Sequence, residues 1–281
     1  MATEADAARA AGASRDDAVL HERFFGDPDR VPALALVRPR YHGLFDCITM
    51  KEALKASAAD VPTFKPSQNS GLAYGETAIE SVWRILRGVD LSVFTCTCSG
   101  DTSAAAAPER ERCAICGRRR VGAHILDLGS GIGNVVVAFA LLAAAGEARG
   151  QVARVEGVEL LPRLHAVAEA AVRTLLAQDF EIQPPARPLP LPLPHCAVRC
   201  GDLMTDGENA LADADLVYMT TTLFDDDFLA RFAVLAADTL RSGSRVVTLS
   251  TPLQHEAFET EARIPICNSW GEEAAVVNVR R

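Results

Sequence analysis

The sequence is poor in aromatic residues and lacks any hydrophobic run of membrane-spanning length. Only 6% of its 281 residues are Phe, Trp or Tyr, whereas 49% are hydrophobic, so a core would have to be built mainly from aliphatic side chains. No apolar stretch approaches the roughly 18–20 residues that a transmembrane helix needs. The composition therefore predicts a globular protein with an aliphatic core.

The chain also lacks an excess of positive charge. Its 37 acidic residues outnumber its 28 Lys and Arg residues, which gives a formal net charge of −9. Non-specific binding to nucleic acid depends on clustered positive charge, so the chain as a whole is a poor candidate for it. The only basic cluster is the five arginines of residues 110–120, which suit either a solvated face or local docking on an acidic partner.

Composition divides the chain into four predicted regions. Residues 1–20 lack the basic and apolar segments of a signal peptide and read as a disordered tail of a cytosolic or nuclear protein. Residues 21–88 form a predicted N-terminal lobe, interrupted by prolines, with short helices over 21–25 and 48–55. Within this lobe, Thr77 and Glu80 have the spacing of a helix capping box. A cysteine-rich insertion at 89–122 and a ligand-binding domain at 123–281 complete the chain.

Four of the eight cysteines occur as two close pairs on either side of a low-complexity loop. Cys96 and Cys98 precede this loop, and Cys113 and Cys116 follow it. Two thiol pairs joined by a loop match the tetrahedral ligand set of a structural Zn²⁺ ion. A disulfide is disfavoured without a secretory signal, and unrelated free thiols are the other alternative. We predict a structural zinc site on these four cysteines.

Three glycines at alternate positions follow a short apolar run that ends in an acid. Asp127 precedes Gly129, Gly131 and Gly133, and the apolar segment 135–145 has the length of a helix. Glycine lets the backbone turn tightly beside a ligand, and the first N–H groups of the next helix point at that ligand. The spacing differs from that of dinucleotide-binding loops, and a carboxylate here suits an ammonium group better than a phosphate. We predict that the loop binds S-adenosylmethionine (SAM), although an ordinary strand–helix turn would also fit the glycines alone.

Strands and helices alternate regularly after the glycine loop. We expect strands at 154–159, 197–203, 216–222 and 245–249, a helix from Pro162 to about residue 178, and a closing hairpin with strands at 262–267 and 274–279. Ligands of such sheets bind at the carboxyl ends of the parallel strands. Glu159 is therefore predicted to accept the ribose hydroxyls, Asp202 to accept from the adenine amino group, and Leu203 to pack on the adenine ring. The acids of 225–227 are most simply a helix N-terminus.

Several motifs together resemble the disruptor-of-telomeric-silencing (DOT) family. They are Tyr74-Gly-Glu-Thr77, Asp127-Leu-Gly-Ser-Gly-Ile-Gly133, Gly157-Val-Glu159, Gly201-Asp-Leu203, Leu223-Phe224 and Ser269-Trp270. The resemblance implies a class I SAM-dependent methyltransferase fold: an α/β protein with a seven-stranded, mostly parallel sheet, helices on both faces and a small N-terminal lobe. It also implies that Tyr74, Glu76 and Thr77 form a lid over the methionine end of SAM, and that Asp127 and Asn134 hold its amino acid part.

Members of this family are non-SET histone-lysine methyltransferases, so the resemblance implies a nuclear enzyme that methylates a core lysine of nucleosomal histone H3. We expect direct in-line transfer to a lysine amine whose pKa is lowered by desolvation in a narrow channel. Phe224, Trp270 and Tyr74 would wall this channel, and Thr220 would aim the amine. Thr220 and Thr221 replace the family's usual asparagine pair. An aromatic expected after Trp270 and a lysine-rich nucleosome-binding extension are also missing.

Two alternatives to a histone methyltransferase fit the same residues. The acidic charge and the missing basic extension favour a SAM-dependent methyltransferase of a small molecule or another protein. The replacement of the asparagine pair by Thr220 and Thr221 also allows a non-catalytic chromatin-binding relative that keeps the fold but not the turnover.

Overall fold

The computed structural model describes residues 31–45, 52–53, 55–56, 60, 77–95, 122–177, 189–268 and 271–281. Its helices are α1 (Pro32–Phe45), α2 (Ile79–Gly88), α3 (Asn134–Ala144), α4 (Pro162–Ala177), α5 (Gly207–Asp213) and α6 (Asp226–Thr239). Its strands are β1 (Ala123–Leu128), β2 (Val152–Glu159), β3 (His195–Cys200), β4 (Leu216–Met219), β5 (Arg245–Leu249), β6 (Phe258–Asn268) and β7 (Gly271–Arg280). Within these ranges no helix is both long enough and apolar enough to cross a membrane.

The seven strands form one sheet in the order β3-β2-β1-β4-β5-β7-β6. Strands β1 to β5 are parallel, and β7 inserts antiparallel between β5 and β6. The chain moves outward from β1 to β3 and then returns to build β4 and β5 on the other side of β1. In an open α/β sheet, a ligand crevice lies outside the carboxyl ends of the strands at this reversal point. The prediction of a seven-stranded, mostly parallel sheet is confirmed.

Helices cover both faces of the sheet, as predicted. Side chains of a strand alternate between its two faces, so neighbouring residues of β1 enter different cores. Ile125 packs in the core that contains α1 to α4, whereas Leu126 and Leu128 pack in the core that contains α5 and α6. Every residue of α3 is buried, which agrees with a sequence that is apolar at every position after Asn134.

Helix α1 shows that the prolines do not divide the N-terminal segment as expected. Pro32 is the first residue of the helix, where the missing N–H has no intrahelical partner to lose. Pro39 lies inside the helix and removes one backbone hydrogen bond. The helix nevertheless buries Leu34, Val37 and Tyr41 in the core with α3, and this packing offsets the loss.

Helix α2 does not begin with the predicted capping box. Its N-cap residue is Ala78, and no side chain caps the helix. Glu80 instead pairs with Arg38 of α1, with 2.7 Å between Oε1 and Nε. The hydroxyl of Thr77 contacts the hydroxyl of Tyr218 in β4 and does not cap the helix.

The predicted strands and helices beyond the glycine loop are largely confirmed, with corrections at their ends. Strand β3 ends at Cys200, so Asp202 and Leu203 lie in the turn after it and not within it. Strand β4 ends at Met219, and a 3₁₀ turn over Thr221–Leu223 follows. The closing hairpin is longer than its apolar residues suggested, because β6 is an edge strand whose outer positions are polar.

Candidate functional site

The glycine loop between β1 and α3 turns through backbone conformations that favour glycine. Gly129, Gly131 and Gly133 have φ angles of 78°, 55° and 83°, which side-chain-bearing residues rarely adopt. The N–H groups of Gly129 and Ser130 donate to the carbonyl of Val158 at 2.8 and 3.0 Å. The loop is therefore fixed to the end of β2. The N-terminus of α3, which is the positive end of the helix dipole, lies directly after the loop.

A glycine in β2 permits this close contact. A Cβ atom at Gly157 would lie 2.7 Å from Oγ of Ser130 and 2.9 Å from a methyl group of Val136. The loop and the first turn of α3 therefore sit directly on the backbone of β2. The motif Gly157-Val-Glu159 combines this close approach with an acid at the strand end.

Asp127, at the carboxyl end of β1, is almost completely buried. Its side chain is 2% exposed, and its Oδ2 atom has no hydrogen-bond partner within the described residues. Burial raises the pKa of Asp127 well above its ordinary value, and the nearby charge of Glu159 raises it further. A buried acceptor without a donor is costly, so this carboxylate is suited to a ligand that brings N–H groups.

Glu159, at the end of β2, has its carboxylate held by two backbone N–H groups. Gly131 donates to Oε2 and Leu161 donates to Oε1, each at 2.8 Å. Burial raises the pKa of Glu159, although these hydrogen bonds favour its ionised form. Each carboxylate oxygen keeps a further lone pair, so Glu159 can still accept from ligand hydroxyls.

The turn after β3 places Asp202 and Leu203 next to the end of β2. The N–H of Gly201 donates to the carbonyl of Glu159 at 3.0 Å. The Oδ1 atom of Asp202 accepts from the N–H of Met204 at 2.8 Å, which fixes its orientation. Leu203 is half-buried and packs against the core beside α5 and α6. The structure therefore brings these two predicted residues to the same edge as Asp127 and Glu159.

Thr77 joins the segment before α2 to the sheet and to the glycine loop. Its hydroxyl lies 2.7 Å from the hydroxyl of Tyr218, in β4, and its backbone forms a β-bridge with Asn268. The Nδ2 atom of Asn134 donates to the carbonyl of Thr77 at 3.3 Å. Thr220 donates to the same tyrosine hydroxyl at 3.4 Å. Thr77 and Thr220 are thus linked through one buried phenol, and Asn134 joins them through the backbone carbonyl of Thr77.

Tyr218 is a central residue that the sequence analysis missed. Its side chain is completely buried, and burial raises its pKa far above the ordinary value, so its hydroxyl stays protonated. It lies opposite Asp127 in the β1–β4 register. The available sequence signal was a single polar group within the otherwise apolar strand Leu216–Met219.

The remaining predicted residues fall into two groups. Phe224 is half-buried and stacks on Phe228, with 4.3 Å between ring centroids. The other predicted residues lie outside the described part of the chain: Tyr74, Glu76, Trp270, Cys96, Cys98, Cys113 and Cys116. Among the residues that are described, no group of three or more His, Cys, Asp or Glu side chains could hold a metal ion.

The geometry defines a fold class. A sheet of this strand order, with an antiparallel seventh strand and a glycine loop after β1, is the class I SAM-dependent methyltransferase fold. The glycine loop, the acids at the ends of β1 and β2, the acid after β3 and the N-terminus of α3 lie at the carboxyl edge, where this fold binds its ligand.

Comparisons with known proteins give distant structural likenesses only. No family model and no curated protein matches the chain. Cofactor-bound Rv0187 from MTB is similar at 15% identity and a TM-score of 0.44, over 95% of this chain and 96% of that one. An RNA methyltransferase from Salinibacter ruber, solved with S-adenosyl-L-homocysteine, is similar at 18% identity and a TM-score of 0.38, over 57% of this chain and 82% of that one. Fibrillarin from Aeropyrum pernix, with natively bound S-adenosyl-L-methionine, is similar at 16% identity and a TM-score of 0.38, over 56% of this chain and 66% of that one. The fold class therefore rests on the strand order.

The glycine loop generates a prediction about Gly133. Its Cβ position lies 3.0 Å from Cβ of Ala168 in α4, and its φ angle is 83°. Gly146 has a similar φ of 82° but nothing within 4 Å of its Cβ position. We expect Gly146→Ala to lower the free energy of unfolding by about 1–2 kcal/mol through backbone strain alone. Gly133→Ala should lower the free energy of unfolding by about 1–3 kcal/mol more than Gly146→Ala does, because α4 must move away from the added methyl group.

Chemical denaturation of both variants measures this difference. Equal losses of unfolding free energy in the two variants would contradict the close packing of the glycine loop against α4.

Proposed function

We propose that this protein is a SAM-dependent methyltransferase that acts on a lysine side chain of a protein. The observation that carries the cofactor part of the proposal is the buried, unpartnered Oδ2 atom of Asp127 at the carboxyl end of β1. SAM carries an α-ammonium group, and an ammonium offers three N–H donors to such an acceptor.

The residues at this edge fit the rest of SAM as well. When bound, SAM supplies an electrophilic methyl group on a positively charged sulfur atom. Glu159 would accept the ribose hydroxyls, since each of its oxygens uses only one lone pair on the loop. Asp202 would accept from the adenine amino group, and Leu203 would pack on the ring. Asn134 and Thr77 would contact the methionine end.

The acceptor side of the site must deliver an uncharged amine. A lysine ammonium has a pKa of about 10.4 in water and must lose its proton before the nitrogen lone pair can attack. Desolvation beside apolar walls lowers that pKa, so no dedicated base is required. Phe224 would form one such wall, together with Trp270 and Tyr74. Thr220 keeps acceptor lone pairs with which it can align the amine, since its hydroxyl donates to Tyr218.

The resemblance of the motifs to the DOT family supports histone H3 in the nucleosome as the partner, and hence action in the nucleus. Another acceptor, a small molecule or a different protein, is favoured by the net charge of −9, which would be repelled by nucleosomal DNA.

Transfer of a labelled methyl group distinguishes these acceptors. We expect labelled SAM to modify histone H3 when the protein is incubated with recombinant nucleosomes. Free H3 and the small-molecule fraction of a cell extract serve as parallel acceptors. Label only in the extract fraction would contradict the histone proposal, and binding of SAM without labelling in any sample would favour the non-catalytic alternative.

Replacing Asp127 tests the cofactor assignment. We expect Asp127→Asn to weaken binding of S-adenosylhomocysteine about 10- to 100-fold, because a charge-assisted hydrogen bond is lost. The parent should also bind more weakly as the pH falls, since the raised pKa of Asp127 makes it take up a proton at a higher pH than an ordinary aspartate. The variant should lose this pH dependence. Titration calorimetry over a range of pH measures both effects.

Asp227→Asn is the matched control, because it removes the same charge from an exposed position in α6. The thermal midpoint of Asp127→Asn shows whether the variant is folded. Removing a buried charge should leave the thermal midpoint unchanged or raise it. Equal affinity of Asp127→Asn and the parent would refute the cofactor assignment.

We also propose that Cys96, Cys98, Cys113 and Cys116 bind one structural Zn²⁺ ion. Elemental analysis of the purified protein should find one equivalent of zinc, and a chelator should lower the thermal midpoint, because metal binding contributes to folding. Cys96→Ser should lose the metal, whereas Cys200→Ser, at an exposed free thiol, should keep it. A stable, metal-free parent protein would dismiss the site.

A further inference from the structure

Three elements at the carboxyl edge of the sheet converge on one carboxylate that the proposed cofactor site does not use. Glu273, in β7, accepts a hydrogen bond from Nδ2 of Asn268, in β6, at 3.0 Å. It accepts a second from Oγ of Ser250, directly after β5, at 3.3 Å. Ser250 has a φ angle of 61°, the one positive φ of a non-glycine residue among those described. Backbone strain of this kind persists only where surrounding contacts enforce it.

This carboxylate has no cationic partner within the described residues. Arg263 lies on the neighbouring strand, but its Nη1 atom donates to the backbone carbonyl of Ser250 at 3.3 Å. Glu273 is half-buried, which leaves it open to a ligand from solvent. A half-buried carboxylate with two neutral donors and no counter-ion is suited to a positively charged group.

Asn268 provides a second free acceptor at the same place. Its side chain is 6% exposed, and its Oδ1 atom has no hydrogen-bond partner in the part of the chain that the structure describes. The orientation of the amide follows from its neighbour, because Nδ2 must face the carboxylate of Glu273. A group with several N–H donors and no acceptor would satisfy both residues, and an ammonium is such a group.

The cluster of Glu273, Asn268 and Ser250 connects directly to the proposed methyl-transfer site. Asn268 forms the β-bridge with Thr77, whose hydroxyl contacts Tyr218. Burial is the main cause of the raised pKa of Tyr218, and the charges of Asp127 and Glu273 add to it. Both carboxylates therefore act on the same hydroxyl, one from the glycine-loop side and one from the hairpin side.

We propose that Glu273 and Asn268 form the subsite that receives the cationic amine of the methyl acceptor. This inference rests on the proposed function and names a specificity-determining residue for it. The hydroxyl of Thr221 donates to the carbonyl and accepts from the N–H of Leu249, each at 2.8 Å, which fixes it against β5. Glu273 thus selects amines over neutral acceptors at the step of binding.

The position of the charge predicts which kinetic constant changes. A carboxylate attracts the protonated amine and stabilises that form, so it favours capture of the acceptor and does not promote the loss of its proton. Removing the carboxylate should therefore raise KM for the acceptor much more than it lowers kcat.

Glu273→Gln and Glu272→Gln form a matched pair for the test. Glu272 is the adjacent, exposed residue, so the two variants change the net charge of the protein equally at neighbouring positions. The binding probe is fluorescein-labelled octalysine, measured by anisotropy with the protein saturated by S-adenosylhomocysteine. We expect Glu273→Gln to raise Kd about tenfold and Glu272→Gln to change it less than about twofold. Glu273→Asp should recover part of the affinity.

The outcomes separate this inference from the proposed function. Equal effects of Glu273→Gln and Glu272→Gln would overturn the subsite, as would a loss that appears with octa-arginine but not with octalysine. Failure of the parent to bind S-adenosylhomocysteine would instead refute the proposed function. Steady-state transfer to octalysine, with KM rising and kcat nearly constant in Glu273→Gln, would support the subsite independently of the binding measurement.

Discussion

The site depends on one buried carboxylate that the described chain leaves partly unsatisfied. Asp127 sits at the end of a central strand, shielded from water, with its Oδ2 atom unpartnered and its pKa raised. Such a group is costly in an isolated protein, and a cationic ligand would offset the cost. The surrounding residues fix the position of the glycine loop that follows Asp127. Gly157 lets the glycine loop lie on β2, and Glu159 fixes the loop through the N–H of Gly131.

A chain of hydroxyl contacts divides the edge of the sheet into two sides. Thr220, Tyr218 and Thr77 lie in hydrogen-bonding sequence between the glycine loop and the closing hairpin. The acids that would hold the cofactor lie on one side, and Glu273 with Asn268 lies on the other. A transferase needs two reactants held against each other with defined orientation. Under the proposed function, these hydroxyl groups would lie between the cofactor and the methyl acceptor.

Residue patterns within short segments predicted the central strands and helices well, whereas contacts between residues far apart in the sequence were not predicted. The glycine loop, β2, α4 and β5 follow from spacing and periodicity over a few residues. Helix α1 was missed because the cost of Pro39 is local and the compensating burial against α3 is not. The role of Thr77 was ambiguous for the same reason, since its partner Tyr218 is 141 residues away in sequence. Glu273 had no local signal, because only the hairpin register brings it to Asn268 and Ser250.

A crystal structure of the protein with S-adenosylhomocysteine tests the assignment of Asp127 most directly. The assignment predicts that the amino group of the ligand lies within hydrogen-bond distance of Oδ2 of Asp127, with its ribose hydroxyls at Glu159. A ligand bound elsewhere, or bound at this edge with its amino group turned away from Asp127, would contradict it.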